Sequence, residues 1–164
     1  MGLSPNARLD IHDLADHLGT KVVSAERLIA VDRLEELERM QAFAFSAATF
    51  NVHSKAYIVT NPLRTAGRLA SDVAHELSHL LLKHDLTEVR EVGGVPFRTC
   101  QPEEEEQATA MGGTLMLPRP LLITAVSQGM SPEQIAATYN VTTEMARFRY
   151  NTTGVAKQFS RRSG

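Results

Sequence analysis

At 164 residues, with 43% hydrophobic and 22% charged side chains, the chain is large enough for one domain with a real core, and its composition excludes a fibrous or low-complexity protein. A formal net charge of −2 excludes a global field that would draw it to nucleic acid or to an anionic membrane. The single cysteine, Cys100, excludes an internal disulfide and fits a reducing compartment; the opening MGLSPNARLDIHDLAD lacks the apolar core of a signal peptide, and the weakly charged stretch 108–132, broken by Arg119, glycines and three prolines, does not read as a membrane span.

A cytoplasmic protein of one domain, residues 1–164, is therefore expected, and its elements follow in order. Residues 1–7 read as loose. Leu9, Ile11, Leu14, Ala15 and Leu18, followed by Gly19, predict a short amphipathic helix with a glycine stop. Lys21 to Ser24 predicts a brief strand. Val31, Leu34, Leu37 and Met40 set a helical period within 30–42. The alternation of Phe43, Phe45, Ala47 and Thr49 predicts a strand over 42–50, and Lys55 to Thr60 a second. The turn between them makes an antiparallel hairpin, which Asn61-Pro62 ends. Thr65 opens a long helix running to about His84. Residues 85–100, with Gly93-Gly94 and Pro96, read as irregular. Pro102 and four acids open a helix ending near Leu117, where acids in the first turn suit the positive end of the helix dipole. Leu121 to Gln128 is helical. Ser131-Pro132-Glu133-Gln134 has the capping pattern of a helix start, and Thr142 or Thr143 starts a last helix ending near Gly154. The basic end, Phe159 to Gly164, reads as frayed.

The stretch that carries chemistry is His75-Glu76-Leu77-Ser78-His79. On a helix, residues four apart stand one above the other on one face. Two imidazoles so placed can bind one Zn²⁺, and the intervening glutamate sits where it can take a proton from a water on the ion. The plain alternative is a solvated polar face. Against it, Leu69, Val73, Leu77, Leu80 and Leu81 form an apolar stripe, so the helix is half buried. Arg68, Asp72, His75 and His79 fall within about 60° of one another on its other face.

A hydrolytic zinc site needs a third protein ligand and an open position. The continuation H-x-x-G-x-x-H fails, because Leu82 and Asp85 occupy the glycine and histidine positions. Asp85 offers a carboxylate, but Leu82 suits a sharp turn poorly, and His84 is one residue out of step. The remaining source is the run Glu103-Glu104-Glu105-Glu106, most of which reads as a solvated helix start.

Three segments resemble the ImmA/IrrE family of metallopeptidases. Arg68 to Leu82, RLASDVAHELSHLLL, is similar to its motif helix. Glu105-Glu106-Gln107-Ala108 matches its E-x-x-A, and Leu115-Met116-Leu117-Pro118 its L-L-x-P. The resemblance implies an α+β, zincin-like (gluzincin) fold in which a small antiparallel sheet packs on the motif helix. It places a metallopeptidase-like core at 8–118 and a helical, helix-turn-helix-like extension at 119–164. It implies His75, His79 and Glu105 as metal ligands and Glu76 as general base and acid. It also implies a helix-turn-helix repressor as protein substrate, cut to release phage, mobile-element or stress genes. Zn²⁺ is the expected cofactor, with Mn²⁺ compatible with two histidines and a glutamate.

The chain departs from the family pattern at three places. Ser78 stands where glycine is usual. Thr109 stands where Asn or Asp often follows the ligand glutamate, although a hydroxyl still offers one hydrogen bond to a histidine. Met111-Gly112-Gly113 replaces bulkier residues, which lets this helix approach the motif helix closely. Oxyanion stabilisers remain open among Tyr57, Tyr139, Tyr150, His84 and Arg147, and Arg68 with Asp72 reads equally as a surface pair or as support for the site. A rival reading rests on residues 131–154, whose I-A-A-x-Y-x-V-T pattern resembles a DNA-binding helix pair. Arg147, Arg149, Lys157, Arg161 and Arg162 lie in or after it. That basic count is low for a lone DNA reader, so a helix pair packed on the core, or docking the substrate, is preferred. A metal-free binder of repressors is the other alternative.

Overall fold

The computed structural model describes residues 2–4, 7–43, 45–84, 89–92, 95–98 and 101–160, with 89–92, 95–98 and 160 described by backbone alone. Its first half is a helix–strand–helix–hairpin sequence: α1 (Ile11–His17), β1 (Lys21–Ser24), a 3-10 turn at Ala25–Arg27, α2 (Val31–Met40), β2 (Ala47–Val52) and β3 (Lys55–Thr60). Asp10 caps α1 by accepting from the His12 and Asp13 backbone N–H groups. Those bonds, with His12 first, hold the Asp10 carboxyl below its usual range.

The expected hairpin is present, with Phe50 opposite Tyr57 and Ala48 opposite Val59. The sheet, however, is mixed rather than antiparallel. β1 joins it parallel to β3, Val22 opposite Ile58, giving the order β1-β3-β2. Two of the chain's short strands come together only because α2 carries the chain across, and nothing in four residues of local sequence encodes that direction. Within α2 only Leu34 is buried; Val31, Leu37 and Met40 stay exposed, so the helix packs by one residue per two or three turns against Ala25, Val59 and Phe45.

α3 (Ala66–Leu82) follows, capped by the Thr65 hydroxyl, which accepts from the Arg68 N–H at 3.4 Å. Its apolar stripe is buried as expected: Val73, Ala74 and Leu77 are fully enclosed. Burial of a side chain the size of Leu77 stabilises the fold by about 1.5–3 kcal/mol. The helix ends where Lys83 takes a left-handed conformation, φ 58°.

Within 85–100, expected to be irregular, the described residues form two strands. β4 (Val89–Val92) and β5 (Val95–Arg98) pair antiparallel, Val92 opposite Val95. Gly93-Gly94 between two four-residue runs is a hairpin signal, and Pro96 sits at a strand with one neighbour, where a missing N–H is tolerated. Asp85, Cys100, Arg161 and Arg162 lie outside the described residues.

Five helices complete the fold: α4 (Pro102–Met116), α5 (Arg119–Ser127), α6 (Pro132–Tyr139), α7 (Thr143–Thr152) and α8 (Val155–Ser160). Gln101 precedes α4, and its N–H donates to Glu104, so one of the four acids serves as a cap partner. At α6 the reciprocal cap is complete: Ser131 N–H donates to Gln134 at 2.8 Å, and Gln134 N–H to the Ser131 hydroxyl at 3.3 Å. α8 was not expected. Gly154 breaks the chain at φ 70°, and Val155 then buries completely. One core draws on both halves of the chain, joining Ile58, Val73 and Leu77 to Leu122, Ile135, Ala146 and Val155.

Candidate metal centre and its cleft

α3 and α4 cross at close range, and the sequence allows it. A Cβ placed on Gly112 would stand 3.2 Å from the His75 backbone nitrogen and 3.3 Å from the Ala74 carbonyl carbon. Those contacts are tighter than a side chain ordinarily makes, and backbone gives way less readily than a side chain, so glycine is favoured here. One residue on, a Cβ on Gly113 would meet Arg149 Cδ at 3.0 Å. Arg149 runs under α4 to donate from Nε to the Leu117 carbonyl at 3.1 Å, and burial lowers its pKa. The two glycines that interrupt good helix-forming sequence are thus what brings α4 against both α3 and α7.

This crossing sets Glu105, in the first turn of α4, opposite the two histidines of α3. Glu105 Oε2 lies 3.1 Å from His75 Nε2, and Oε1 lies 3.5 Å from His79 Nε2; the two Nε2 atoms are 3.0 Å apart. Ligand bonds of about 2.0–2.1 Å at tetrahedral angles put neighbouring ligand atoms about 3.3 Å apart. The two ring nitrogens and the two oxygens of the one carboxylate therefore stand at separations close to that value, and the three residues are a group of metal-binding type among the described residues. The His79 side chain is 2% exposed, His75 27% and Glu105 47%, so the set is anchored at its inner end and open at its outer one.

Each member of the set is backed differently. Thr109 Oγ1 comes within 3.5 Å of His75 Nδ1, at the outer limit of a hydrogen bond. His79 Nδ1 lies 2.9 Å from His84 Nδ1. Glu76, beside His75, accepts a short hydrogen bond from the Thr49 hydroxyl of β2. Asp72, one turn earlier, accepts from Ser46 and pairs with Arg68 Nε at 2.8 Å. Arg68 and Asp72 thus act together as an ion pair and, through Ser46, as a tie to the chain entering β2. Ser46 and Thr49 escaped the sequence reading, because a hydroxyl on a strand carries no signal of its own; only the strand's position against α3 reveals them.

Beside these groups opens a cleft of about 550 Å³. Its near wall is Asp72, His75, Glu76 and Glu105. Its far wall is the start of α7: Thr142, Glu144, Met145 and Phe148. None of the residues weighed as oxyanion stabilisers lines it. Tyr139 and Tyr150 pack against the core, Tyr57 sits on β3, Arg147 is bonded to Glu133 at 2.8 Å, and His84 stands behind His79.

No curated protein and no solved structure matches the chain. One family model does, that of the IrrE N-terminal-like domain (Peptidase_M78), over residues 15–151, a span that takes in the motif helix, Glu105 and the far wall of the cleft alike. With that coverage the chain belongs to the IrrE N-terminal-like family, and it is a metallopeptidase.

Proposed function

We propose that this metallopeptidase is a zinc-dependent, cytoplasmic endopeptidase that cuts a helix-turn-helix transcriptional repressor, with His75, His79 and Glu105 holding the ion and Glu76 as general base and acid. The observation that carries the reading is the approach of the two imidazole Nε2 atoms to each other at 3.0 Å and to the Glu105 carboxylate at 3.1 and 3.5 Å, beside a glutamate that lines a cleft. When bound, the ion supplies Lewis acidity, bringing a water's pKa to about 7 and polarising a scissile carbonyl.

The protein's own part is positional. Thr49 donates to Glu76 Oε2, which fixes the carboxylate's orientation and leaves it acceptor capacity for a further proton. Glu76 takes that proton and returns it to the leaving amine, a role worth roughly 10²–10⁴-fold in rate. The cleft's far wall, with Met145 and Phe148, supplies apolar contact for a peptide, and Glu144 adds a carboxylate. Two histidines and a glutamate also accept Mn²⁺, so the native ion is assigned by analysis.

The test is metal analysis of the purified protein beside cleavage of a candidate repressor. Wild type should carry one divalent ion, His79→Ala none, and Glu76→Gln should keep the ion and lose cleavage. A wild type that binds no ion at micromolar zinc sinks the reading. The DNA-binding alternative is disfavoured by α7 itself. Its first turn lines the cleft, Arg147 is held by Glu133, and the part-buried Arg149 is engaged by the Leu117 carbonyl at the end of α4.

A further inference from the structure

His79 faces Glu105 and His75 through Nε2, and its other ring nitrogen meets a second imidazole. His79 Nδ1 and His84 Nδ1 are 2.9 Å apart, and His84 Nε2 is 3.1 Å from Gln107 Oε1. Gln107 stands on α4, two residues after Glu105. The arrangement exists because the chain doubles back after α3. Lys83 adopts φ 58°, and the His84 N–H returns to the His79 carbonyl at 3.0 Å. A right-handed Lys83 would continue the helix and carry His84 a further step round it.

We infer that His84 is a positioning residue for His79, acting in series with Gln107, and that this chain selects the tautomer of His79 that can hold a cation. The inference rests on reading His79 as a metal ligand. A separation of 2.9 Å between two ring nitrogens is that of one N–H···N hydrogen bond. A His79 that offers a bare Nε2 to an ion keeps its proton on Nδ1 and donates it to His84 Nδ1. His84 is then bare at Nδ1 and protonated at Nε2, from which it donates to the Gln107 amide oxygen. Every donor meets an acceptor, and both rings are neutral. Ligand histidines are ordinarily held this way by a carboxylate or a carbonyl. Here a neutral imidazole does it, backed by an amide from the same helix that brings the third ligand. The docking of α4 on α3 thereby delivers the acid and locks the buried histidine in one event.

The experiment is zinc affinity of the full-length chain by chelator competition, for wild type, His84→Phe, Gln107→Ala and Gln107→Glu. It is joined to nitrogen-detected imidazole NMR of the zinc-loaded wild type. His84→Phe keeps ring volume and removes both nitrogens, and should weaken zinc binding about 10–100-fold. Gln107→Ala should weaken it less, and Gln107→Glu should restore it, because a carboxylate accepts the same proton. The spectrum should show the His84 proton on Nε2 and none on Nδ1. Unchanged affinity in His84→Phe with a zinc-binding wild type overturns the inference, as does a proton on His84 Nδ1. Melting of the metal-free proteins reports folding; should His84→Phe be unfolded, the tautomer and the Gln107 pair decide alone. A wild type that binds no zinc is a separate result, which overturns the functional reading and this inference with it.

Discussion

The two flanks of α3 hold chemically different groups by different means. Toward the sheet it presents carboxylates, Asp72 and Glu76, each held by a hydroxyl from the β2 side, Ser46 and Thr49. Toward α4 it presents imidazoles, backed by Thr109 and by the His84–Gln107 chain. The sheet flank depends on β2, which among the described residues is an edge strand paired with β3. Its entry is pinned at the Phe45 carbonyl, which accepts from Asn61 at 2.9 Å and from Arg64 at 2.8 Å, while Arg64 also grips Glu38 at 2.7 Å. The helix flank depends on a seam where a methyl group at Gly112 would make unusually tight contacts with the α3 backbone. The difference teaches that the two sets of groups are mounted on separate supports, so that under the proposed function proton transfer and ion holding should each be open to disturbance without the other.

The largest effect is expected from the helix flank. Glu105→Ala removes a ligand outright, and its loss of zinc affinity should exceed the roughly 100-fold that supporting residues command, read by chelator competition. Next is Gly112→Ala, whose new Cβ meets backbone at 3.2 Å. It should cost about 1–3 kcal/mol by overpacking, measured by urea unfolding, and should lower metal affinity with it. If Gly112→Ala proves neutral, the seam is softer than the coordinates make it, and the contrast between the flanks weakens.

On the sheet flank, Thr49→Val keeps shape and deletes the donor to Glu76. Turnover should fall about tenfold, in keeping with about 1.4 kcal/mol for a hydrogen bond to a charged group, while zinc affinity stays at the wild-type value. A parallel loss of zinc would erase the proposed separation. The smallest effect is at Glu38. The Arg64 hydrogen bond, with a smaller contribution from the Phe43 N–H, lowers its pKa below the ordinary 4.5. A depressed carboxylate stabilises the fold above that value, and the contribution is lost as pH falls through the folded pKa. Glu38→Gln should therefore unfold earlier in urea than wild type at pH 7, with the gap closing below about pH 4.5.

How much of this could be read from residues alone depended on the length of the signal. The motif helix was legible because seventeen residues carry one period and an N-cap threonine. Ser131 was legible as a cap and Thr142 or Thr143 as a helix start, since the chemistry of helix starts is local. β1's parallel partnership was not, because pairing direction is a tertiary choice. The β4–β5 hairpin was missed by weighing Gly93-Gly94 and Pro96 as breakers rather than as a turn between valine-rich runs. Glu105 was singled out from its neighbours by the E-x-x-A resemblance, as periodicity does not rank four consecutive acids. His84 is one residue out of step with the third-histidine spacing, and its contact with His79 comes from the left-handed turn at Lys83, which no residue type there announces.

The order of the site's parts along the chain has a temporal meaning. A polypeptide emerging from its N-terminus exposes the histidines first, the acid about thirty residues later, and the start of α7 after that. The cleft is then completed after the metal-binding trio, and unravelling from the α7 side would open the cleft before it separated the three residues.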